Sequence, residues 1–238
     1  MLDGSSRLGE FAELGYAVVA DAVAPDQVDA LIAATEPHWA NSSARGGVRH
    51  ALRNIPEVRS IATSATLRAL AEAALGPGAL PVRGLLFDKT PDANWRVIWH
   101  QDLTIAVRER RDAPGFGPWS EKDGAPHVQP PVALLERMVA VRVHLDDCTT
   151  DNGPVRVIPG SHRAGRHDAA ATDALRMRGP EVTCVVPRGG VLAFHSLLLH
   201  ASSPAVTPAH RRVVHIEYVG AEWAALPHGL AWDEATTA

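Results

Sequence analysis

The stretch GGVLAFHSLLLHASSPAVTPAHRRVVHIEYV (189–219) alternates short apolar runs with Gly, Pro and Ser turns. Apolar and β-branched runs bounded by such turns are typical of short β-strands. The same texture extends back to about residue 79. Strands are predicted at 80–88, 96–107, 138–147, 154–158, 182–186, 190–194, 197–200 and 212–219. Many short strands with regular turns predict a mainly β fold with flanking helices, a jelly roll or cupin-like barrel.

The part of the chain before the barrel is predicted to be mostly helical. Apolar residues recur at helical spacing in 25–36 and again in 64–75, and Gly76-Pro77-Gly78 ends the second helix. A chain of 238 residues is long enough for one domain with a substantial core. We therefore expect a single domain over 1–238, made of a helical part and a barrel core at 1–78 and 79–220.

Residues 108–135 interrupt the predicted strands with a Pro- and Gly-rich segment. Long loops in compact domains are often functional lids, and this one directly follows a strand that carries candidate metal ligands. As a lid, it would contact a substrate through Trp119, Lys122 or His127. The alternative is a solvated or disordered insertion without a role in binding.

The sequence His100-Gln101-Asp102, together with His200, supplies two imidazoles and one carboxylate. On a strand, residues two apart point to the same side, so His100 and Asp102 can bind one ion. Two His and one carboxylate on one face of Fe(II) leave the other face open for a chelating co-substrate and O₂, unlike a closed four-ligand zinc site. These residue types therefore predict redox chemistry at a metal.

A second His-x-Asp sequence, His144-Leu145-Asp146, competes for the same assignment. Asp146 precedes His200 by only 54 positions (200 − 146), which leaves little chain for the intervening barrel strands. Asp102 precedes His200 by 98 positions (200 − 102), which fits a barrel better. We therefore assign His100 and Asp102, rather than the second pair, as metal ligands.

Four segments resemble the phytanoyl-CoA dioxygenase (PhyH) family in order and spacing. They are FAELGYAVVADAVAPDQVDALIAA (11–34), WHQDLTIAV (99–107), HLDDCTTDNGPVRVIPGSHR (144–163) and the stretch at 189–219. The resemblance covers nearly the whole chain and implies a double-stranded β-helix that uses Fe(II), 2-oxoglutarate and O₂. It does not imply the phytanoyl substrate, because members of the family act on many small molecules.

The resemblance assigns roles residue by residue: His100, Asp102 and His200 as iron ligands, and Arg211 and Ser202 as 2-oxoglutarate contacts, with Gln101 as a further predicted contact. A buried dicarboxylate needs a fixed opposite charge, and a guanidinium presents two parallel donors to one carboxylate. Neighbours on a strand face opposite sides, so we expect Arg211 to face inward and Arg212 outward. Asp102 argues against halogenation, since resembling halogenases have a small residue at that position.

Arg142, His144 and Asp146 alternate on one face of an otherwise apolar predicted strand. They form either an internal ion pair or a set that recognises a polar substrate. With Trp119, Arg142 and His144 are the predicted substrate contacts. The resulting hypothesis is hydroxylation of a small polar or carboxylated metabolite, with succinate and CO₂ as co-products. Two alternatives are a cupin-like metalloenzyme that does not use 2-oxoglutarate and a non-catalytic ligand-binding barrel.

Composition limits the partners that can be expected. The formal net charge is −4, with 23 Lys and Arg against 27 Asp and Glu, which offers no basic surface for nucleic acid or an anionic membrane. No apolar stretch is long enough to span a bilayer, and the start of the chain lacks a basic and apolar leader. We therefore expect a small-molecule substrate and a cytoplasmic protein. The sequence does not indicate an oligomeric state.

Overall fold

The protein is described by a computed structural model over residues 10–40 and 47–235. The predicted domain limits at residues 1 and 238 lie outside the described residues. Seven α-helices are defined within these residues: α1 Phe11–Leu14, α2 Pro25–Ala40, α3 Ala51–Asn54, α4 Pro56–Ala62, α5 Ala65–Leu75, α6 Val132–Leu135 and α7 Ala169–Arg178. Within the described ranges, none of these helices has both the length and the apolar character needed to cross a membrane.

In the described part of the chain, twelve strands form three antiparallel sheets. The strands are β1 Tyr16–Val19, β2 Leu80–Lys89, β3 Val97–His100, β4 Ile105–Ala106, β5 Trp119–Lys122, β6 Ala125–Val128, β7 Met138–His144, β8 Val155–Val157, β9 Val182–Cys184, β10 Val191–His195, β11 His200–Ser202 and β12 Arg211–Val219. The major sheet has the order β1-β10-β7-β12-β2, and the minor sheet has the order β3-β11-β8-β9. Side chains from both sheets line one cavity, so the mainly β jelly-roll fold is confirmed.

The N-terminal helices cover the outer face of the major sheet. Val141 and Val143 of β7 and Ile216 of β12 are fully buried there, in one apolar cluster with side chains of α2 to α5. Burial of each such side chain stabilises the fold by about 1.5–3 kcal/mol. The helix α5 begins where Ser64 accepts a hydrogen bond from the N–H of Leu67, as an N-cap does.

The inner face of the major sheet is polar, and its register sets the layout of the cavity. Strands β2 and β12 pair along their whole length, which places successive inward residues opposite each other: Lys89 with Arg211, Phe87 with Val213, Leu85 with His215, and Arg83 with Glu217. Strand β7 flanks β12 on its other side, where Arg142 pairs with His215. Charged side chains therefore stand at both ends of this face, with Phe87 and Leu85 between them.

Two predicted strands have different bounds in the structure. The strand expected at 96–107 is divided, because β3 ends at His100 and β4 begins at Ile105. Asp102 thus lies just beyond a strand rather than within one. The strand expected at 197–200 is mostly a buried turn, and β11 begins only at His200. Apolar runs alone do not separate a buried turn from a buried strand.

Strand β1 and helix α7 are among the elements that were not predicted from the sequence. Strand β1 lies in the part predicted to be helical, where it pairs with β10 at the edge of the major sheet. Four residues are too few to show an alternating pattern. Helix α7 has no buried residue, so it lacks the apolar stripe that reveals a helix. Its N-cap Asp168 accepts a hydrogen bond from the N–H of Ala171. An Asp at this position was the feature of the sequence that could have indicated the start of the helix.

The segment 108–135 is ordered, and the disordered alternative is wrong. Strands β5 and β6 form a hairpin that pairs with β4 in the third sheet, which has the order β4-β6-β5. The helix α6 follows the hairpin. Lys122, the last residue of β5, lines the cavity, whereas Trp119 at the other end of β5 packs in a separate apolar cluster.

Candidate metal centre

His100, Asp102 and His200 converge at one wall of the cavity. His100 and His200 are register partners at the ends of β3 and β11. Nε2 of His100 lies 3.6 Å from Oδ1 of Asp102, and Nε2 of His200 lies 3.7 Å from Oδ2 of the same carboxylate. The ligand atoms of all three residues lie within 4.8 Å of one another. The three side chains thus meet although the strand ends at His100.

Hydrogen bonds orient both imidazoles for metal binding. Nδ1 of His100 lies 2.9 Å from the carbonyl oxygen of Ile98, and Nδ1 of His200 lies 2.9 Å from that of Leu198. A carbonyl oxygen can only accept, so each Nδ1 carries the proton and donates it. Each Nε2 then keeps its lone pair and faces Asp102. Such a donor behind a ligating His fixes both its tautomer and its ring orientation.

The charge states of these residues also suit a divalent cation. Burial alone would raise the pKa of Asp102, but the neighbouring His200 and His100 lower it well below its usual value, so the carboxylate is ionised. Burial lowers the pKa of His200 to about 4, so its imidazole is neutral at physiological pH. Burial would lower the pKa of His100, but the hydrogen bond and the charge of Asp102 raise it above its usual value, so a metal ion competes with a proton for this imidazole. Two imidazole nitrogens and one anionic oxygen fit Fe(II) and leave its remaining coordination positions open.

The rival pair does not form a metal site. His144 is buried, and neither of its ring nitrogens has a hydrogen-bond partner among the described residues. The carboxylate of Asp146 instead binds Arg212, at 2.9 Å from Nε and 2.7 Å from Nη2. As strand alternation predicts, Arg212 thus faces outward. The neighbouring Arg211 is only 2% exposed and lines the cavity.

A second group of potential ligands is already occupied by protein contacts. Nδ1 of His50 lies 3.0 Å from Oδ2 of Asp233, and Arg53 forms an ion pair with the same carboxylate. Glu234 accepts hydrogen bonds from the N–H groups of Arg53 and Gly84, both at 3.1 Å. These contacts anchor the last described residues against α3 and β2, and we assign them a structural role.

Arg211 and Ser202 lie together at one end of a cavity of about 260 Å³. Both donate to the carbonyl oxygen of Gly153, and Lys89 Nζ donates to Ser202 Oγ at 2.8 Å. Gly153 has φ +72°, and a Cβ there would lie 2.5 Å from the carbonyl oxygen of Ser203 and 2.9 Å from Lys89 Nζ. Only glycine fits this turn without displacing the lysine.

Lys89 was missed in the sequence, where it is one of many charged residues at strand ends. Lys89 lies opposite Arg211 in the sheet, and only the pairing of β2 with β12 shows this. With Arg142 they form what we call the Arg211 cluster: Lys89, Arg142 and Arg211. The three side chains are 1%, 8% and 2% exposed. Within the described part of the chain, no carboxylate lies within ion-pair distance of any of them.

The Arg211 cluster is electrostatically strained without an anion. Burial, followed by the charges of Arg211 and Arg142, lowers the pKa of Lys89 to about 7. Burial, followed by the charge of Arg211, lowers the pKa of Arg142 to about 10. Removing buried cations from water without a counter-ion is unfavourable. The cluster therefore fits a dianion such as 2-oxoglutarate, placed beside the metal ligands.

Three predicted contacts, Gln101, Trp119 and His144, do not line the cavity. Gln101 donates to the carbonyl oxygens of Gly165 at 2.8 Å and Leu197 at 2.6 Å, and accepts from the N–H of His167 at 2.8 Å. Its amide is used to fix loops, and the predicted co-substrate role is corrected to a structural one. Trp119 lies against Arg110, whose guanidinium carbon is 5.6 Å from the ring centroid, outside the cavity lining.

The sequence profile of the phytanoyl-CoA dioxygenase (PhyH) family matches residues 11–213. The chain belongs to this family. Members are Fe(II)- and 2-oxoglutarate-dependent oxygenases, and the triad His100, Asp102 and His200 is the candidate iron site of this PhyH enzyme. No curated protein sequence matches the chain.

Solved structures similar to this PhyH enzyme share its fold. AviO1 from Streptomyces viridochromogenes Tue57 is 23% identical, with a TM-score of 0.68 over 95% of this chain and 98% of its own. The α-ketoglutarate-dependent carbocyclase SnoK from nogalamycin biosynthesis is 18% identical, with a TM-score of 0.71 over 92% and 85%. EctD from S. alaskensis, solved with 2-oxoglutarate and 5-hydroxyectoine, is 22% identical, with a TM-score of 0.70 over 92% and 77%.

Proposed function

We propose that this PhyH enzyme hydroxylates a small polar or carboxylated metabolite and releases succinate and CO₂ as co-products. The observation that carries the proposal is the position of the Arg211 cluster, which meets the metal triad in one cavity. In a metalloenzyme that does not use 2-oxoglutarate, three buried cations without carboxylate partners would have no anionic co-substrate to bind. A non-catalytic barrel would have no need for two imidazoles held in the ligating tautomer.

Each residue of the proposed site has a defined task. His100, Asp102 and His200 would hold Fe(II), at which O₂ would act as the oxidant, with two of its four electrons coming from 2-oxoglutarate and two from the substrate. Arg211, Lys89 and Ser202 would bind the distal carboxylate of the co-substrate through charge-assisted hydrogen bonds. Phe194 packs 4.8 Å from the His200 ring, centroid to centroid, and holds that ligand in place.

Arg142 is proposed to act on the co-substrate side of the cavity. Its guanidinium lies over the Phe87 ring at 5.2 Å, and Nη1 lies 3.5 Å from Nδ1 of His215. Arg142 lines the same cavity as Arg211 and the metal triad, which supports this assignment. His144 faces the same interior but does not line the cavity. Its predicted substrate contact therefore has no support from the described residues.

The proposal is tested by anaerobic titration of the Fe(II)-loaded protein with 2-oxoglutarate. Chelation of Fe(II) by the keto acid gives a weak visible charge-transfer band, and the expected result is a saturable band in the wild type. A succinate-release screen against metabolite pools then identifies substrates. Absence of the band in protein that retains Fe(II) would show that the enzyme does not use 2-oxoglutarate in this way.

The affinity for 2-oxoglutarate is expected to fall as pH rises above about 7, the value to which the pKa of Lys89 is lowered. Below that pH, Lys89 is already protonated and can bind the distal carboxylate of 2-oxoglutarate. Above it, the free protein must take up a proton on binding, so log Kd rises by up to about one per pH unit. Titration calorimetry of the Mn(II)-loaded protein from pH 6 to 9 measures this slope. Lys89→Met should bind more weakly at pH 6 and lose the slope. A flat wild-type profile would contradict the assignment.

A further inference from the structure

A second group of cations lies at the other end of the cavity. We call it the Lys122 cluster: Arg49, Arg83 and Lys122, all of which line the cavity. Arg83 Nη1 lies 2.9 Å from Glu217 Oε1, and Arg49 Nε lies 2.6 Å from Asp123 Oδ2. Lys122 Nζ donates to Thr104 Oγ1 at 3.2 Å. The first two cations thus have acidic partners, whereas Lys122 has a hydroxyl.

The two clusters are too far apart to serve one co-substrate molecule. Lys89 and Arg83 lie on the same strand, six residues apart (89 − 83), which corresponds to about 20 Å of extended backbone. The ion pair with Glu217 keeps Arg83 at one end of the cavity, and the hydrogen bond to Ser202 keeps Lys89 at the opposite end. The carbon chain of 2-oxoglutarate has four bonds of about 1.5 Å each and cannot reach both. The Lys122 cluster is therefore free when the Arg211 cluster is filled.

Lys122 has no counter-ion in the described parts of the chain, since no carboxylate lies within ion-pair distance of its Nζ. Burial lowers the pKa of Lys122, and the charges of Arg83 and Arg49 lower it further. His127 is only 1% exposed. Burial, together with the charges of Arg83, Lys122 and Arg49, lowers its pKa to about 4. With Asp102 assigned to the metal, this end of the cavity has three cations and two paired carboxylates, an excess of one positive charge.

The Lys122 cluster also lies close to the metal ligands. Thr104, which holds the ammonium of Lys122, follows Asp102 by two residues, and both line the cavity. The charge of Asp102 acts on Lys122 as well. A group bound by Lys122 would therefore place the adjacent part of its molecule near the open side of the metal.

We propose that the Lys122 cluster is the substrate-binding subsite, and that it binds a single carboxylate of the substrate. This inference rests on the proposed function, because it assumes that 2-oxoglutarate fills the Arg211 cluster. A monoanion matches the one unpaired cation, whereas a dianionic phosphate would need a second. Arg49 and Arg83 already have Asp123 and Glu217, and they contribute donors rather than net charge. The sequence-based choice of Arg142 as the substrate anchor is thereby replaced by Lys122.

The test uses 4-fluorobenzoate as a small carboxylate probe and 4-fluorobenzamide as its neutral counterpart. Both are added to the Mn(II)-loaded protein at saturating 2-oxoglutarate, and paramagnetic broadening of the ¹⁹F signal reports binding near the metal. We expect broadening of the benzoate and little of the benzamide. Lys122→Met should weaken benzoate binding about tenfold to hundredfold, since a charge-assisted hydrogen bond is lost. Lys122→Arg should restore much of it.

Arg110→Met is the matched control, because it removes an exposed cation of the same segment that does not line the cavity. It should leave benzoate binding unchanged. The inference is overturned if benzoate does not bind, if the amide binds equally well, if Lys122→Met has no effect, or if benzoate binds only when 2-oxoglutarate is left out. The 2-oxoglutarate charge-transfer band should persist in Lys122→Met. Its absence from the wild type would instead contradict the proposed function.

Discussion

Asp102→Ala is expected to abolish metal binding and turnover while the protein remains folded. The carboxylate is the only anionic group of the triad, and both imidazoles face it across 3.6 and 3.7 Å. Loss of a group behind a ligand typically costs about 10- to 100-fold in metal affinity, and loss of the ligand itself should cost more. Anaerobic Fe(II) titration measures the affinity, succinate release measures the turnover, and circular dichroism checks the fold.

His144→Leu is the control for this prediction, because His144 belongs to the rival His-x-Asp pair. It should retain metal binding. It should also leave the free energy of unfolding unchanged or raise it, since the buried ring nitrogens have no hydrogen-bond partner among the described residues. Loss of the metal in His144→Leu together with its retention in Asp102→Ala would reverse the choice between the two pairs.

Arg211→Met is expected to raise the Kd for 2-oxoglutarate about 150- to 5,000-fold while metal binding persists. The variant leaves one buried carboxylate of the co-substrate without its main partner, a loss of about 3–5 kcal/mol. Without 2-oxoglutarate the variant should melt at or above the wild-type temperature, because a buried cation without a counter-ion has been removed. Titration calorimetry and thermal melts of the same samples separate the two effects.

Arg212→Met is the matched control on the same strand. Arg212 faces outward and binds Asp146, so its loss should cost about 0–1 kcal/mol of stability and leave 2-oxoglutarate binding unchanged. Equal effects of the two substitutions on the Kd would contradict the assignment of Arg211 to the cavity side of β12 and of Arg212 to its outer side. A large drop in the melting temperature of Arg211→Met alone would indicate a structural role for that side chain.

The metal triad and the facing of Arg211 could be predicted because they depend on local information. The His-x-Asp motif is contiguous, and strand alternation separates Arg211 from Arg212 without knowledge of any partner. The break in the strand after His100 was not visible, yet it leaves the ligands together. The mainly β fold could likewise be predicted from the repeated short runs and turns.

The cation clusters could not be predicted, because each is assembled by register across strands that are distant in sequence. Lys89 meets Arg211 only through the β2–β12 pairing. Lys122 was considered as one of three lid residues, but nothing in the sequence places the end of β5 in the cavity and the start of β5 outside it. Arg142 was predicted to face inward. Its role depends on neighbours from other strands, which the sequence did not reveal.

The pairing of β12 with neighbours on both sides has a consequence for where a substrate is oxidised. Strand β12 lies between β7 and β2 and carries Arg211 at one end and Glu217, which holds Arg83, near the other. A strand hydrogen-bonded along both edges resists stretching, so the separation of the two carboxylate-binding ends is fixed. Substrates of different chain length, held by the same carboxylate, would then present the same carbon, counted from that carboxylate, to the metal. Position along the chain, counted from the carboxylate, would select the product.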